Sequence, residues 1–351
     1  MPQIYSTNDL VTVVRDNRIA PSFLRGRYFP TGPRDIFATP NVFVEYGMEG
    51  SPAAPFVIPY SGAKLMEREG YWSESITPAY INPSRDMTID TLLKKGIGET
   101  WYDTTVTPEQ REQEYLADDL AYLEAAIQRT QEWMCGQILQ NGYVDCVLDA
   151  NGDRKARLKY YGASFDNVVT HTGTWSAYGI YKNISEACNA IDASYGQLDL
   201  ILGANLVTPF LTDDTIQKLL DLRNANFGQL NPGQTQPDGT GYLGQMSFGG
   251  RLVNVFTYNA QATLYGAGSA TSYIDAGKYV VLPSKGFGCT KFGAITQMEE
   301  EDRAFHTHAA EMVPRIITDP KDNSRTLEMA SACVPMPYKW DSWRVCTPTL
   351  V

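Results

Sequence analysis

Thr107 to Gln140 reads TPEQREQEYLADDLAYLEAAIQRTQEWMCGQILQ, and this stretch decides the fold. Thr107 is placed to cap a helix, with Pro108 at its first position and Glu109 and Glu112 in its opening turns. Leu116, Leu120, Leu123, Ile127, Met134 and Ile138 recur at three- and four-residue spacing, so they share one helical face. Thr130 interrupts that face without breaking it. Gln113, Asp118, Glu124, Gln128 and Glu132 fall mostly on other faces, which predicts a polar outer side. No Pro or Gly intervenes between Pro108 and Gly136. About 30 residues make a rod of roughly 45 Å, long for a globular helix. Such a helix lies across a broad sheet or along a neighbouring subunit.

The regions on either side differ in kind. Residues 1–45 hold a short helix, Leu10 to Asp16, and then Pro21, Pro30, Pro33 and Pro40 among Phe23, Leu24, Tyr28, Phe29, Ile36, Phe37 and Phe43. Closely spaced prolines exclude long elements. The apolar residues between them predict an extended arm docked on its own body or on a neighbour. Residues 46–92 read as a long polar hairpin, with Phe56–Tyr60 in one strand and a tip near Arg68 to Trp72. A hairpin this polar cannot build a core by itself.

Beyond Asn141-Gly142, Tyr143 to Leu148 and Arg154 to Tyr161 flank Asn151-Gly152, a strong hairpin turn. The return strand carries Arg154, Lys155, Arg157 and Lys159. It is either a solvated face or a contact for nucleic acid or an acidic partner. From Thr174 the pattern turns α/β: helices over Tyr178–Ala193 and Thr212–Asn224, strands over Leu198–Leu202, Arg251–Tyr258 and Lys278–Leu282, and a Gly-, Gln-, Asn- and Pro-rich loop over 227–250. Cys289–Thr296, Val313–Thr318, Thr326–Val334 and Trp343–Cys346 are strands that supply a sheet for the long helix.

Composition narrows the function. The 351 residues are 43% hydrophobic, enough for two domains, and no apolar run approaches a membrane span or a signal peptide. A net charge of -11 argues against binding nucleic acid through its phosphates. Six scattered cysteines without a C-x-x-C pair read as reduced thiols rather than a zinc site. Glu299–Asp302 followed by His306 and His308 has the residue types of a metal site. Four consecutive carboxylates cannot converge on one ion, so it reads as a solvated acidic turn. There is no phosphate-binding glycine loop and no Gly-x-Ser-x-Gly elbow, and His171 has no nucleophile beside it. No catalytic residue, cofactor or metal is expected.

Several local motifs, taken in order, resemble the major capsid proteins of tailed bacteriophages, of the lambda-type capsid protein E family. They are Asp9–Val14 followed by Pro21-Ser22-Phe23-Leu24-Arg25, then Ser61-Gly62, Gly70 and Ser73–Pro83, then Tyr258 before Lys278–Leu282, and Asp319-Pro320 before Arg325–Met336. The resemblance implies an α+β fold of the Hong Kong 97 type. Its parts would be an N-terminal arm (1–45), an E-loop (46–92), a peripheral P domain (93–171) around the spine helix, an axial A domain (172–284) and return strands of the P domain (285–351). It implies hexamers and pentamers closing an icosahedral virion shell around double-stranded DNA, without sequence-specific binding, assembled in the bacterial host cytoplasm. It further implies a scaffold, a portal and a decoration protein as partners, with no membrane. Phe23, Leu24, Arg25, Arg68, Tyr71 and Trp72 are the expected contacts between subunits. Lys64 is the only Lys of the hairpin and sits near its base, so crosslinking is not expected. An encapsulin-like compartment of the same fold and a soluble α/β enzyme are the alternatives.

Overall fold

The computed structural model describes residues 23–47, 71–88, 108–147, 155–159, 167–169, 175, 179–220, 228–235, 240–264, 269–300, 303–321 and 324–348. In chain order, helix α1 (Phe23–Tyr28) leads into β1 (Val42–Gly47), which pairs antiparallel with β2 (Tyr71–Ile76). Short strands β3 (Ala79–Ile81) and β4 (Ser84–Thr88) follow, and then the long helix α2 (Pro108–Asn141). A hairpin of β5 (Tyr143–Val147) and β6 (Lys155–Lys159) comes next, then β7 (Val168–Val169) and helix α3 (Ile180–Asn189). Strand β8 (Leu198–Leu202) precedes α4 (Ala204–Thr212) and α5 (Asp214–Leu220), and β9 (Gly228–Thr235), β10 (Thr240–Phe248) and β11 (Arg251–Tyr258) form a meander. A small pair, β12 (Gln261–Ala262) and β13 (Thr271–Ser272), precedes β14 (Tyr279–Pro283). The remainder is strand: β15 (Gly288–Phe292), β16 (Ile295–Met298), β17 (Phe305–His308), β18 (Val313–Asp319), β19 (Ser324–Pro337) and β20 (Arg344–Cys346).

One sheet has the order β7-β20-β14-β8-β11-β10-β9. Its central strand β8, LDLIL, is buried throughout, as a continuous apolar strand must be when both faces are covered. Leu198, Leu200 and Leu202 pack with Ile180, Ile184, Leu206, Phe210 and Ile216 of α3, α4 and α5. Ile201 points the other way, into a cluster with Phe23 and Leu24 of α1 and Ile138 and Leu139 of α2. The strands β20 and β7 enter this sheet from outside residues 172–284.

The second sheet is organised by the 14-residue strand β19, with β18 and β15 along one edge and β3 and β4 along the other. Its inner face lies along α2: Leu327 and Met329 meet Leu120, Leu123 and Ile127, and Gln131 donates to Ser331 Oγ at 3.2 Å. On the outer face Val313, Ala330 and Ala332 are covered by Ile295.

The long helix starts at Pro108 and ends at Asn141, with Gly142 at φ 73 as its left-handed terminus. Its expected polar outer side holds at Gln113 and Asp118, which are exposed, and is corrected at two positions. Glu124 and Glu132 are 6% and 1% exposed, because α1 and the first sheet cover the flank that the second sheet leaves free. Gly136 permits the closest approach: a Cβ there would stand 2.1 Å from the Tyr273 carbonyl oxygen. Gln140 fixes the same loop, donating to Tyr273 O at 2.9 Å and accepting from Asp275 N at 3.0 Å. Gly136→Ala should therefore destabilise by about 1–3 kcal/mol through overpacking, although helix propensity alone predicts a gain near 1 kcal/mol. Urea denaturation of the variant measures the sign.

Three further expectations change. The loop over 227–250 contains β9 and β10, whose Gly and Gln content hides a ladder with a bulge at Tyr242/Gly244. The helix expected over 212–224 is α5, Asp214–Leu220, with 221–224 outside the described residues. Asp213 Oδ1 accepts from Thr215 N and Ile216 N at 2.9 Å, capping α5, while α4, which contains Pro209, was not expected. Tyr71 and Trp72 are not in a hairpin tip: they lie in β2, opposite Gly47 and Tyr46. The helix over Leu10–Asp16, the strand over Phe56–Tyr60, Lys64, Arg68, Gly70, the Asn151-Gly152 turn and His171 lie outside the described residues.

Candidate functional site

The six residues of α1, FLRGRY, are too few for a stable helix by themselves. Two buried carboxylates from distant parts of the chain hold it. Glu132, on α2, accepts from Leu24 N through Oε1 at 2.7 Å and from Arg25 N through Oε2 at 2.9 Å. It thereby caps the helix N-terminus, where free N–H groups favour an anion. Tyr258 OH donates to the same Oε1 at 2.6 Å, and burial followed by Glu132 pushes that phenol up. Asp199, fully buried on β8, accepts through Oδ2 from Arg27 Nε at 2.7 Å and Tyr28 OH at 2.9 Å. Its Oδ1 accepts from Asn254 Nδ2 at 2.6 Å. The Arg27 guanidinium lies 4.8 Å from the centre of the Phe256 ring. Isolated buried carboxylates are costly; here each is satisfied by α1 and by the first sheet. The arm helix is thus a clasp between the long helix and the first sheet.

Beside this clasp, Arg25 pairs with Glu311 at 2.7 Å. Glu124 has a buried Oε2 without a hydrogen-bond partner. Burial pushes its pKa up to about 7, with Glu311 adding to the rise and Arg25 opposing it. The native state then holds a proton that the unfolded chain releases near the ordinary carboxylate range. Stability from this group is full below about pH 4.5 and is lost as pH rises to about 7. Glu124→Gln should flatten that slope and stabilise at pH 7.5 by about 1–3 kcal/mol, as read from melting curves between pH 5 and 7.5.

Nothing in this arrangement poises a group for chemistry. The cysteines are free thiols. Burial pushes Cys188 and Cys333 up to about 12 and Cys289 and Cys346 up to about 11, away from the thiolate that reacts. His308 contacts Glu299 at 2.9 Å, and the rings of His306 and His308 are 6.5 Å apart on β17. No group of three or more metal-ligating side chains occurs among the described residues, and no described helix is long and apolar enough to cross a membrane.

The expected contact residues divide. Phe23 and Leu24 are 6% and 0% exposed and pack within their own chain, so of the two docking surfaces open to the arm, residues 23–29 take their own body. Arg25 is engaged by Glu311. Tyr71 and Trp72 have a described backbone in β2, and Arg68 lies outside the described residues. Sequence reasoning missed Glu132, Asp199 and Tyr258. The arm is expected to be extended and is instead helical over Phe23–Tyr28, so no local signal pointed to a cap from Glu132. Large apolar side chains remain exposed at Phe43, Tyr80, Tyr122, Met298, Phe305 and Ile317.

Comparisons with known proteins agree on one family. A family model described as phage major capsid protein E matches residues 6–345. A solved structure from E. coli CFT073, assigned as the capsid protein of a prophage, superposes with a TM-score of 0.69 at 14% identity, covering 99% of this chain and 100% of that one. A phage-related protein from Bordetella bronchiseptica RB50 superposes with a TM-score of 0.51 at 12% identity, covering 99% of each. No curated protein sequence matches the chain.

Proposed function

The chain belongs to the phage major capsid protein E family, and from that premise we propose how it builds its shell. It has the Hong Kong 97-type fold and a structural role in the phage capsid, where it associates with its own copies. The finer reading is that five and six copies form the rings of an icosahedral shell around double-stranded DNA. Assembly would take place in the bacterial cytoplasm, with a separate scaffold, a portal and a decoration protein as partners. The chain's acidity suits a wall that encloses DNA without adhering to it.

The divisions proposed from sequence serve this reading, with two amendments. Residues 1–45 are the arm, 46–92 the E-loop, 93–171 and 285–351 the P domain and 172–284 the A domain, but residues 23–29 belong to the body and β20 and β7 extend the A-domain sheet. The observation that carries the reading is the β1–β2 ribbon. It buries Val42, Val44 and Ile76 in its own chain and turns Phe43, Glu45, Ser73 and Ser75 outward. The ribbon is thereby a fixed base at both ends of residues 48–70. Weak contacts repeated around a closed shell sum to large stability.

Gly47 stands opposite Tyr71, so an Asn-Gly pair can close the ribbon in place of residues 48–70. The replaced chain is expected to melt within a few degrees of the parent and to form no shells. Sedimentation and negative-stain microscopy of both proteins test this. Normal shells from the replaced chain, or a parent that stays a monodisperse monomer at high concentration, would count against the reading.

A further inference from the structure

Arg25 serves two carboxylates of unlike surroundings. One is Glu311, in the turn that joins β17 to β18. Arg25 Nη2 lies 2.7 Å from Glu311 Oε2, and the two side chains are 15% and 40% exposed. The other is Glu124 on α2, which is buried and whose Oε2 has no hydrogen-bond partner. The guanidinium acts on this group as well, opposing the rise that burial and Glu311 give it. The backbones that carry the three side chains are fixed. Glu132 accepts from Arg25 N at 2.9 Å. Glu311 O accepts from Ser331 Oγ at 2.8 Å, and Ser331 Oγ accepts in turn from Gln131 Nε2 at 3.2 Å. Gln131 lies about two helical turns beyond Glu124 on the same flank of α2. Movement in this cluster is therefore left to the side chains.

We propose that Arg25 changes partner with the ionisation of Glu124: it holds Glu311 while Glu124 is neutral and turns to Glu124 when that carboxyl is charged. The two carboxylates compete on unequal terms. A partly exposed pair such as Arg25–Glu311 shifts a folding equilibrium by less than about fivefold. A buried carboxylate left without a partner shifts it by about a hundredfold or more. The cation follows the buried charge, and Glu311 is left to water. With Glu124 neutral the three groups carry no net charge. With Glu124 ionised they carry one negative charge, which the exchange places on the more exposed carboxylate.

No other charge competes for the role. Arg25 from α1 and Glu311 from the turn are the charged groups that act on Glu124 among the described residues. Strand β19 faces this stretch of α2 with Leu327 and Met329, and the turn adds Met312, all apolar. Glu132 lies about 12 Å further along the helix, where α1 and Tyr258 engage it. Burial raises Glu124 to about 7, so the exchange is centred near neutral pH. Its consequence is mechanical. Above the transition α1 is drawn onto α2, and the β17–β18 turn loses its side-chain tie to the arm helix.

Structures of the full chain at about pH 5.5 and about pH 8.5, by crystallography or by cryo-electron microscopy of assembled particles, read the exchange directly. The Arg25 guanidinium is expected within hydrogen-bond distance of Glu311 in the first and of Glu124 in the second. Urea denaturation at the same two pH values gives a second reading. Glu311→Gln should raise the unfolding constant about threefold at the lower pH and should not raise it at the higher. Glu124→Gln keeps the shape of the neutral carboxyl and removes its titration. In that background Glu311→Gln should cost the same factor at both pH values. Arg25 on Glu311 in both structures overturns the exchange. So does an equal cost of Glu311→Gln at both pH values in the parent, or a pH-dependent cost that persists with Glu124→Gln. If Glu124→Gln does not fold, the two structures of the parent decide.

Discussion

Deletion of residues 1–30 is expected to abolish folding, whereas deletion of residues 1–22 is expected to leave a cooperatively folded body. The first cut removes Phe23, Leu24, Tyr28 and Phe29, each no more than 6% exposed. Removing large buried side chains costs about 2–5 kcal/mol each. The cut also strips Glu132 of both its backbone donors and Asp199 of Arg27 and Tyr28. A buried charge left without its partner costs about 3–5 kcal/mol. Together these exceed the roughly 5–15 kcal/mol that holds a domain folded. Thermal melting by circular dichroism separates the two truncations. A shared melting temperature would show that α1 is dispensable to the body and that the clasp is wrong.

Glu132→Ala is expected to cost about 3–5 kcal/mol, the largest effect of any single substitution at the clasp. It leaves Leu24 N, Arg25 N and the Tyr258 hydroxyl without their acceptor, and a buried donor without a partner costs about 1–3 kcal/mol. Glu132→Gln should cost less, because the amide keeps one carbonyl acceptor while its NH2 faces a second donor. Urea denaturation measures both. A cost for Glu132→Ala below that of Glu132→Gln would mean that the helix terminus is satisfied by something else. Glu132→Ala should also make residues 23–29 sensitive to protease before the body unfolds.

What could be read from sequence was what periodicity carries. Leu120, Leu123, Ile127, Met134 and Ile138 face the core as their spacing requires, Pro108 begins the helix, and β8, β11, β18 and β19 fall within a few residues of expectation. Periodicity says which side of an element is apolar; it does not say how many sides are covered. Glu124 and Glu132 looked like surface residues because they are charged, and they are buried because α2 is flanked on two sides from about Glu124 onward. Composition misled in the other direction at 228–248, where Gly, Gln and Asn form a ladder whose strength lies in the backbone. The clasp was out of reach for a further reason. Leu24 and Glu132 are 108 residues apart, and Tyr28 and Asp199 are 171 apart, so no local window contains both halves of either interaction.

That separation sets a timetable for synthesis. The arm helix leaves the ribosome before all its partners: Glu132, Asp199, Asn254 and Tyr258 follow in sequence, the last of them 234 residues after Leu24. At about 5–20 residues per second, the nascent segment carrying Phe23, Leu24, Tyr28 and Phe29 waits roughly 10–50 s for its seat to be complete. During that interval its apolar surface is the first target for a chaperone and the first risk of entanglement with a neighbouring nascent chain. The clasp closes only once Tyr258 has been made, so a chain terminated before that residue lacks a finished clasp.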